Sequence, residues 1–218
     1  MTVKTKICGI KTHEALQAAL EAGADYFGLV FYPPSPRNVS EEAARELVEA
    51  AGGGAKSVAL LVDPSDEDVM RVTGTVAPDY IQLHGNEAPD RVAEIGDLSG
   101  CKLIKAVHIA EPGDSEAATA YADLADIILY DAKASADAPD QLPGGNGVPF
   151  DWRLLTGIKE RESFMLSGGL SPDNVARAIG LTKAPMVDVS SGVERAQGEK
   201  DAGLIRQFIE RAKSAAEG

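Results

Sequence analysis

With 218 residues, 44% hydrophobic and 25% charged, the chain has the length and composition of one large domain with a sizeable core. Its formal charge of −13 argues against nucleic acids and anionic membrane surfaces as partners. No apolar run approaches the ~20 residues of a membrane span, and Val3-Lys4-Thr5-Lys6-Ile7 follows the start with no signal-like apolar region, which predicts a cytoplasmic protein.

Taken in order, apolar runs predict strands at Lys4–Cys8, Tyr26–Phe31, Ser57–Val62, Tyr80–His84, Lys102–His108, Ile127–Asp131, Phe164–Ser167 and Met186–Ser190. Between them, helical spacing predicts helices at Glu14–Leu20, Glu41–Ala50, Asp66–Thr73, Pro89–Ile95, Ser115–Leu124, Asp151–Lys159 and Pro172–Ile179, with a last one at Ala202–Ala215. Thr12, Ser40, Ser65 and Ser171 read as N-caps, and Pro172 as a first helical residue. Regular alternation of strand and helix implies parallel pairing, because each crossover needs about a dozen residues. Eight units in this length predict an α/β fold, a single (β/α)8 TIM barrel over residues 1–218. An open doubly wound sheet is the alternative, but it should show near-continuous apolar strands.

Alternation along the strands supports closure. Ile81 and Leu83 oppose Tyr80, Gln82 and His84; Val187 and Val189 oppose Met186, Asp188 and Ser190; Val3 and Ile7 oppose Lys4, Lys6 and Cys8. The apolar faces should pack under the helices. The polar faces should fill the barrel and crowd toward its C-terminal mouth, where barrel enzymes carry their sites.

Several strand ends carry chemistry. Phe164-Met165-Leu166 runs into Ser167-Gly168-Gly169 and then a helix-like segment, and Met186 to Val189 runs into Ser190-Ser191-Gly192. Two turns of small residues after strands seven and eight expose backbone N–H groups and suit a phosphate. Cys8 ends the first strand with Lys6 on the same face, and a neighbouring cation favours the thiolate that acts as base or nucleophile. A buried structural cysteine explains the same residue equally well. Arg37 leaves a proline-stiffened loop with a planar fork suited to carboxylate or phosphate, or it is a solvated surface arginine. Gln82-Leu83-His84-Gly85 places His84 for a substrate-facing supporting role, whereas His108 is a weaker candidate and His13 reads as helix surface.

Asp131, among apolar neighbours at the end of the sixth strand, is placed to keep a proton it can donate, unless it is a cap or the partner of Lys133. The Lys133–Pro149 loop, with Gly144, Gly145 and Gly147, has the length of a lid or binding loop, or is merely flexible. Cys8 and Cys101 fall at opposite ends of their strands, so no disulfide is expected. With no HExxH, no His-x-His and three scattered histidines, no metal is expected, and no GxGxxG opens the chain. Acid–base chemistry on a sugar phosphate without a cofactor remains.

The motifs Lys6-Ile7-Cys8-Gly9-Ile10, Gly28-Leu29-Val30-Phe31, Ser35-Pro36-Arg37, Gln82-Leu83-His84-Gly85, Asp131-Ala132-Lys133, Phe150-Asp151-Trp152, Leu166-Ser167-Gly168-Gly169-Leu170 and Asp188-Val189-Ser190-Ser191-Gly192-Val193-Glu194 resemble, in order and nearly end to end, the phosphoribosylanthranilate isomerase family of tryptophan biosynthesis. The resemblance implies an Amadori rearrangement of N-(5′-phosphoribosyl)anthranilate to its 1-deoxyribulose isomer, with Asp131 as general acid and Cys8 as general base. It also implies that Arg37 holds the anthranilate carboxylate, and that Gly168, Gly169, Ser190, Ser191 and Gly192 hold the phosphate. Lys6, Gln82, His84, Gly145 and Asp188 complete the expected substrate-binding set, in a monomer or homodimer. Where the family commonly shows Gly-Gly-Thr-Gly, this chain has Asn146. Against an overall charge of −13, Lys6, Arg37 and backbone donors are expected to attract the anionic substrate locally, since distant charge is screened over ~8 Å. Another barrel sugar-phosphate isomerase or epimerase is the alternative enzyme. A metal-dependent epimerase would lose turnover to chelation, and a non-catalytic binding module would need neither Cys8 nor Asp131.

Overall fold

The computed structural model describes residues 2–109, 113–132, 152 and 164–215. Eight parallel strands close into a barrel in sequence order: β1 (Lys4–Cys8), β2 (Tyr26–Phe31), β3 (Lys56–Leu61), β4 (Tyr80–Leu83), β5 (Lys102–Ile109), β6 (Ile127–Ala132), β7 (Phe164–Leu166) and β8 (Met186–Val189). The connecting helices are α1 (His13–Glu21), α2 (Glu41–Ala51), α3 (Asp66–Val76), α4 (Pro89–Ser99), α5 (Asp114–Ala117) continued as a 3-10 turn over Ala118–Tyr121, α6 (Val175–Thr182) and α7 (Ala202–Ser214). None is long and apolar enough to cross a membrane. Apart from Trp152, the expected helix at Asp151–Lys159 lies outside the described residues, as does the Lys133–Pro149 loop with Gly145 and Asn146.

Local chemistry accounts for the helix starts. Thr12 accepts from Ala15 N and Ser40 from Ala43 N, while Ser65 and Asp68 form a reciprocal capping box, so each satisfies orphan donors of a first turn. The expectation at Ser171 fails. Asn174 takes the cap position, and its side chain accepts from Ser171 N at 2.8 Å and donates to the Gly169 carbonyl at 2.9 Å. That local bonding holds Ser171-Pro172-Asp173 in a turn, so α6 starts at Val175 rather than at Pro172.

The barrel wall separates two cores. Ile7, Ile81, Leu83, Val187 and Val189 face outward and are buried under the helices. Tyr26, Tyr80, Ile104, Ile127, Leu129, Met165 and Met186 face inward and plug the N-terminal half, with Tyr26 and Tyr80 edge to face at 5.7 Å. One outward position departs from the expected apolar pattern. Lys105 is buried beneath the fourth and fifth connections and bonds Glu87 at 2.8 Å and the Gly85 carbonyl at 2.9 Å. A small two-stranded hairpin, β9 (Glu194–Ala196) and β10 (Glu199–Lys200), follows β8.

Candidate active site

Strand register places the polar groups. Lys6 pairs with Asp188 across β1 and β8, and His108 with Asp131 across β5 and β6, so inward side chains that are far apart in sequence become neighbours. Asp188 and Asp131 line an open cavity at the C-terminal mouth. Of the residues expected there, Cys8, Arg37, Gln82, His84, Asp131, Gly168, Gly169, Asp188, Ser190 and Ser191 line it.

Two expected residues do not reach its wall. Lys6 lies beneath, fully buried, with Nζ 2.9 Å from Asp188 Oδ1. Burial works against its charge, but Asp188 and the Cys8 sulfur outweigh that and raise its pKa. Its charge is therefore neutralised by Asp188 instead of being offered to a ligand, contrary to the expectation for Lys6. Gly192 sits behind, where any side chain would run into the Leu170 carbonyl. The two phosphate-type turns thus touch through a glycine. Gly168 and Gly169 take left-handed φ of 90° and 63°. Among the described residues, none accepts from their amides.

Cys8 has room because Gly28 faces it across β2. A methyl there would come within 2.9 Å of Sγ and 3.3 Å of Lys6 Nζ. Desolvation of the buried thiol raises its pKa, and Asp188 adds to that, while Lys6 and Lys200 pull the other way without winning. Lys6 does favour the thiolate, as expected of a neighbouring cation, but burial outweighs it.

Arg37 is buried, and Glu194 meets one edge of its fork, Nε to Oε1 at 2.7 Å and Nη2 to Oε2 at 2.9 Å. It lies across Gly9, whose φ of +80° and missing side chain leave space for the Arg37 Cδ. Neither the depth of Arg37 nor its partner was foreseen. Burial raises the Glu194 pKa, but Arg37 and Lys200 overcome that and hold the carboxyl at about 2.

Opposite Cys8, Gln82 Nε2 is 2.8 Å from His84 Nδ1, and His84 Nε2 is 3.2 Å from Asp131 Oδ2. With the amide donating to Nδ1, the ring proton sits on Nε2 and points at Asp131. His108 Nδ1 lies 3.9 Å from the same oxygen. Asp131 is thus faced by two imidazoles rather than by the apolar side chains expected. The histidines are scattered in sequence only: the ligand atoms of His84, His108 and Asp131 lie within 4.8 Å of one another.

The sequence pattern assigns no role to Glu194, Lys200 or Asn174, and Ser167, expected in a phosphate turn, is turned toward Asp188. Ser167 donates to Asp188 Oδ2 at 3.1 Å. The one available signal was that Glu194 closes the motif after β8, but a partner 157 residues away has no local signature.

A closed (β/α)8 barrel with buried polar groups gathered at its C-terminal mouth defines the class as a barrel enzyme. The model of the N-(5'phosphoribosyl)anthranilate (PRA) isomerase family matches residues 5–211, and the chain belongs to that family. N-(5'-phosphoribosyl)anthranilate isomerase of Bradyrhizobium sp. (strain ORS 278) is 48% identical over 217 residues, covering 100% of this chain and 98% of that protein. The crystal structure of phosphoribosyl anthranilate isomerase from Thermotoga maritima superposes with a TM-score of 0.87 at 36% identity, covering 97% of this chain and 99% of that one. A crystal structure of phosphoribosyl anthranilate isomerase in complex with reduced 1-(o-carboxyphenylamino)-1-deoxyribulose 5-phosphate gives 0.84 at 35% identity, with the same coverage.

Proposed function

We infer that this chain is a phosphoribosylanthranilate isomerase of tryptophan biosynthesis, acting in the cytoplasm on N-(5′-phosphoribosyl)anthranilate without a cofactor. Asp131 protonates the furanose ring oxygen. The C1′–O bond breaks as the anthranilate nitrogen lone pair forms the C1′=N iminium. Cys8, as thiolate, removes the C2′ proton, and the electron pair left behind moves toward nitrogen to give the enamine, which tautomerises to the 1-deoxyribulose ketone. His84 donates to one oxygen of Asp131 and leaves the other to carry the transferred proton. The remaining edge of Arg37 takes the anthranilate carboxylate, and the amides around Gly168, Gly169, Ser190 and Ser191 take the phosphate.

One observation carries this reading: Cys8 and Asp131 line the same cavity as both glycine–serine turns. The test is a fluorescence assay with freshly made phosphoribosylanthranilate, with and without EDTA. Turnover that survives EDTA and falls with Cys8→Ala supports it. A metal-dependent epimerase, for which His84, His108 and Asp131 would be the ligands, requires EDTA to stop turnover. Arg37→Ala should raise KM several-fold, and an unchanged KM removes Arg37 from the substrate.

A further inference from the structure

The hairpin after β8 is not a wall of the cavity, yet two of its charged residues, Glu194 and Lys200, reach the groups that are. Lys200 Nζ donates to Glu194 Oε1 at 2.7 Å, to the Ser190 carbonyl at 3.0 Å and to Ser190 Oγ at 3.3 Å. Its side chain is 2% exposed and that of Glu194 5%. Ser190 Oγ in turn donates to the Cys8 carbonyl at 3.2 Å. Glu194 holds Arg37 by two bonds and also accepts from Gly198 N at 3.1 Å, which locks the hairpin turn. That turn is pressed against the loop before Arg37, because a methyl on Gly198 would come within 2.6 Å of the Pro36 carbonyl. Lys11 Nζ bonds the same carbonyl at 2.8 Å.

Buried charges are retained only where partners offset their desolvation. Among the described residues Lys200 has one carboxylate partner, and that carboxylate already serves Arg37, so Arg37, Glu194 and Lys200 together carry a net charge of about +1 beside the mouth. Ser190 and Cys8 lie next along this chain of bonds. We propose that Glu194 and Lys200 are positioning residues for the isomerisation. Glu194 fixes the fork of Arg37, and Lys200 fixes the Ser190 turn and supplies the cation that stabilises the Cys8 thiolate.

The proposal rests on Cys8 being the base, but its central effect is readable without substrate. Lys6 on β1, Asp188 on β8 and Lys200 on the hairpin are the charged groups that act on the sulfur. Lys6 acts on the sulfur more strongly, but removing it strands Asp188, whereas Lys200 can be removed while Glu194 keeps Arg37 as its partner. Cys101→Ser leaves Cys8 as the sole thiol, so the pH dependence of iodoacetamide alkylation then reports its ionisation. In that background Lys200→Met should move the alkylation midpoint upward by about one pH unit, the effect expected when a nearby opposite charge is lost. In the otherwise native chain it should lower kcat at neutral pH about tenfold, with a smaller change in KM. Glu194→Gln should act mainly on KM, through Arg37.

If Lys200→Met alone does not fold, Lys200→Gln keeps a donor for Glu194 and Ser190 while removing the charge, and should show the same upward shift. An unmoved midpoint in a folded variant overturns the proposal. A moved midpoint together with wild-type kcat in Cys8→Ala overturns the base assignment instead, so the two failures are distinguishable.

Discussion

The floor and the mouth of the barrel are cut from the same strands, yet they hold opposite contents. At the floor, Tyr26, Tyr80, Ile127, Met165 and Met186 meet in a buried apolar plug. Two to four residues further along the same inward faces stand Lys6, Cys8, Gln82, Asp131, Asp188 and Ser190. Floor contacts are interchangeable in kind, because dispersion and burial have little direction. Mouth contacts are specific pairs, because each buried charge or amide needs a particular partner. The floor therefore supplies stability that does not depend on which apolar groups provide it. The mouth supplies chemistry, and its groups stay buried only while their partners hold.

Substitution separates the two ends. The largest effect should come from Cys8→Ala and Asp131→Asn, each lowering kcat about 10²–10⁴-fold, the usual worth of a positioned acid or base, while the circular-dichroism spectrum stays native. Next, Lys6→Met strands the Asp188 carboxylate in the barrel and should cost about 3–5 kcal/mol in urea unfolding. A loss below about 1 kcal/mol would mean that Asp188 finds compensation elsewhere.

Met165→Ala should open a cavity in the floor and cost about 2–5 kcal/mol, leaving KM and kcat near those of the unaltered protein below its melting temperature. A proportional loss of kcat would show that floor and mouth are not separable. The smallest effect is electrostatic. The Glu194 carboxyl titrates at about 2 when folded against 4.5 for the free side chain. Protonation below pH 4.5 therefore favours the unfolded chain, and the stability this group gives is complete above 4.5 and declines as pH falls toward 2. Glu194→Gln should flatten that part of the stability profile, and an equally steep acid limb in the variant would exclude Glu194 as its source.

Much of the mouth was legible because strand alternation is local. Once Gln82 and His84, or Asp188 and Ser190, are known to share a face, their depth and direction follow without any knowledge of their neighbours. Caps were legible where a side chain bonds the turn it begins, as at Thr12, Ser40 and Ser65, and misread at Ser171, where Asn174 closes its own loop first.

Sequence by itself determined the order of elements, the closed parallel barrel and the set of side chains aimed at one end, since period, punctuation and length act within a few residues. Tertiary structure alone decided that Lys6 is consumed by Asp188, that Arg37 is gripped by Glu194, and that two imidazoles meet Asp131. Those pairings are set by strand register and by a hairpin packed across the mouth. A charge separated from its partner by more than a hundred residues leaves no trace in the pattern around it, because Coulomb attraction depends on distance in space and not along the chain.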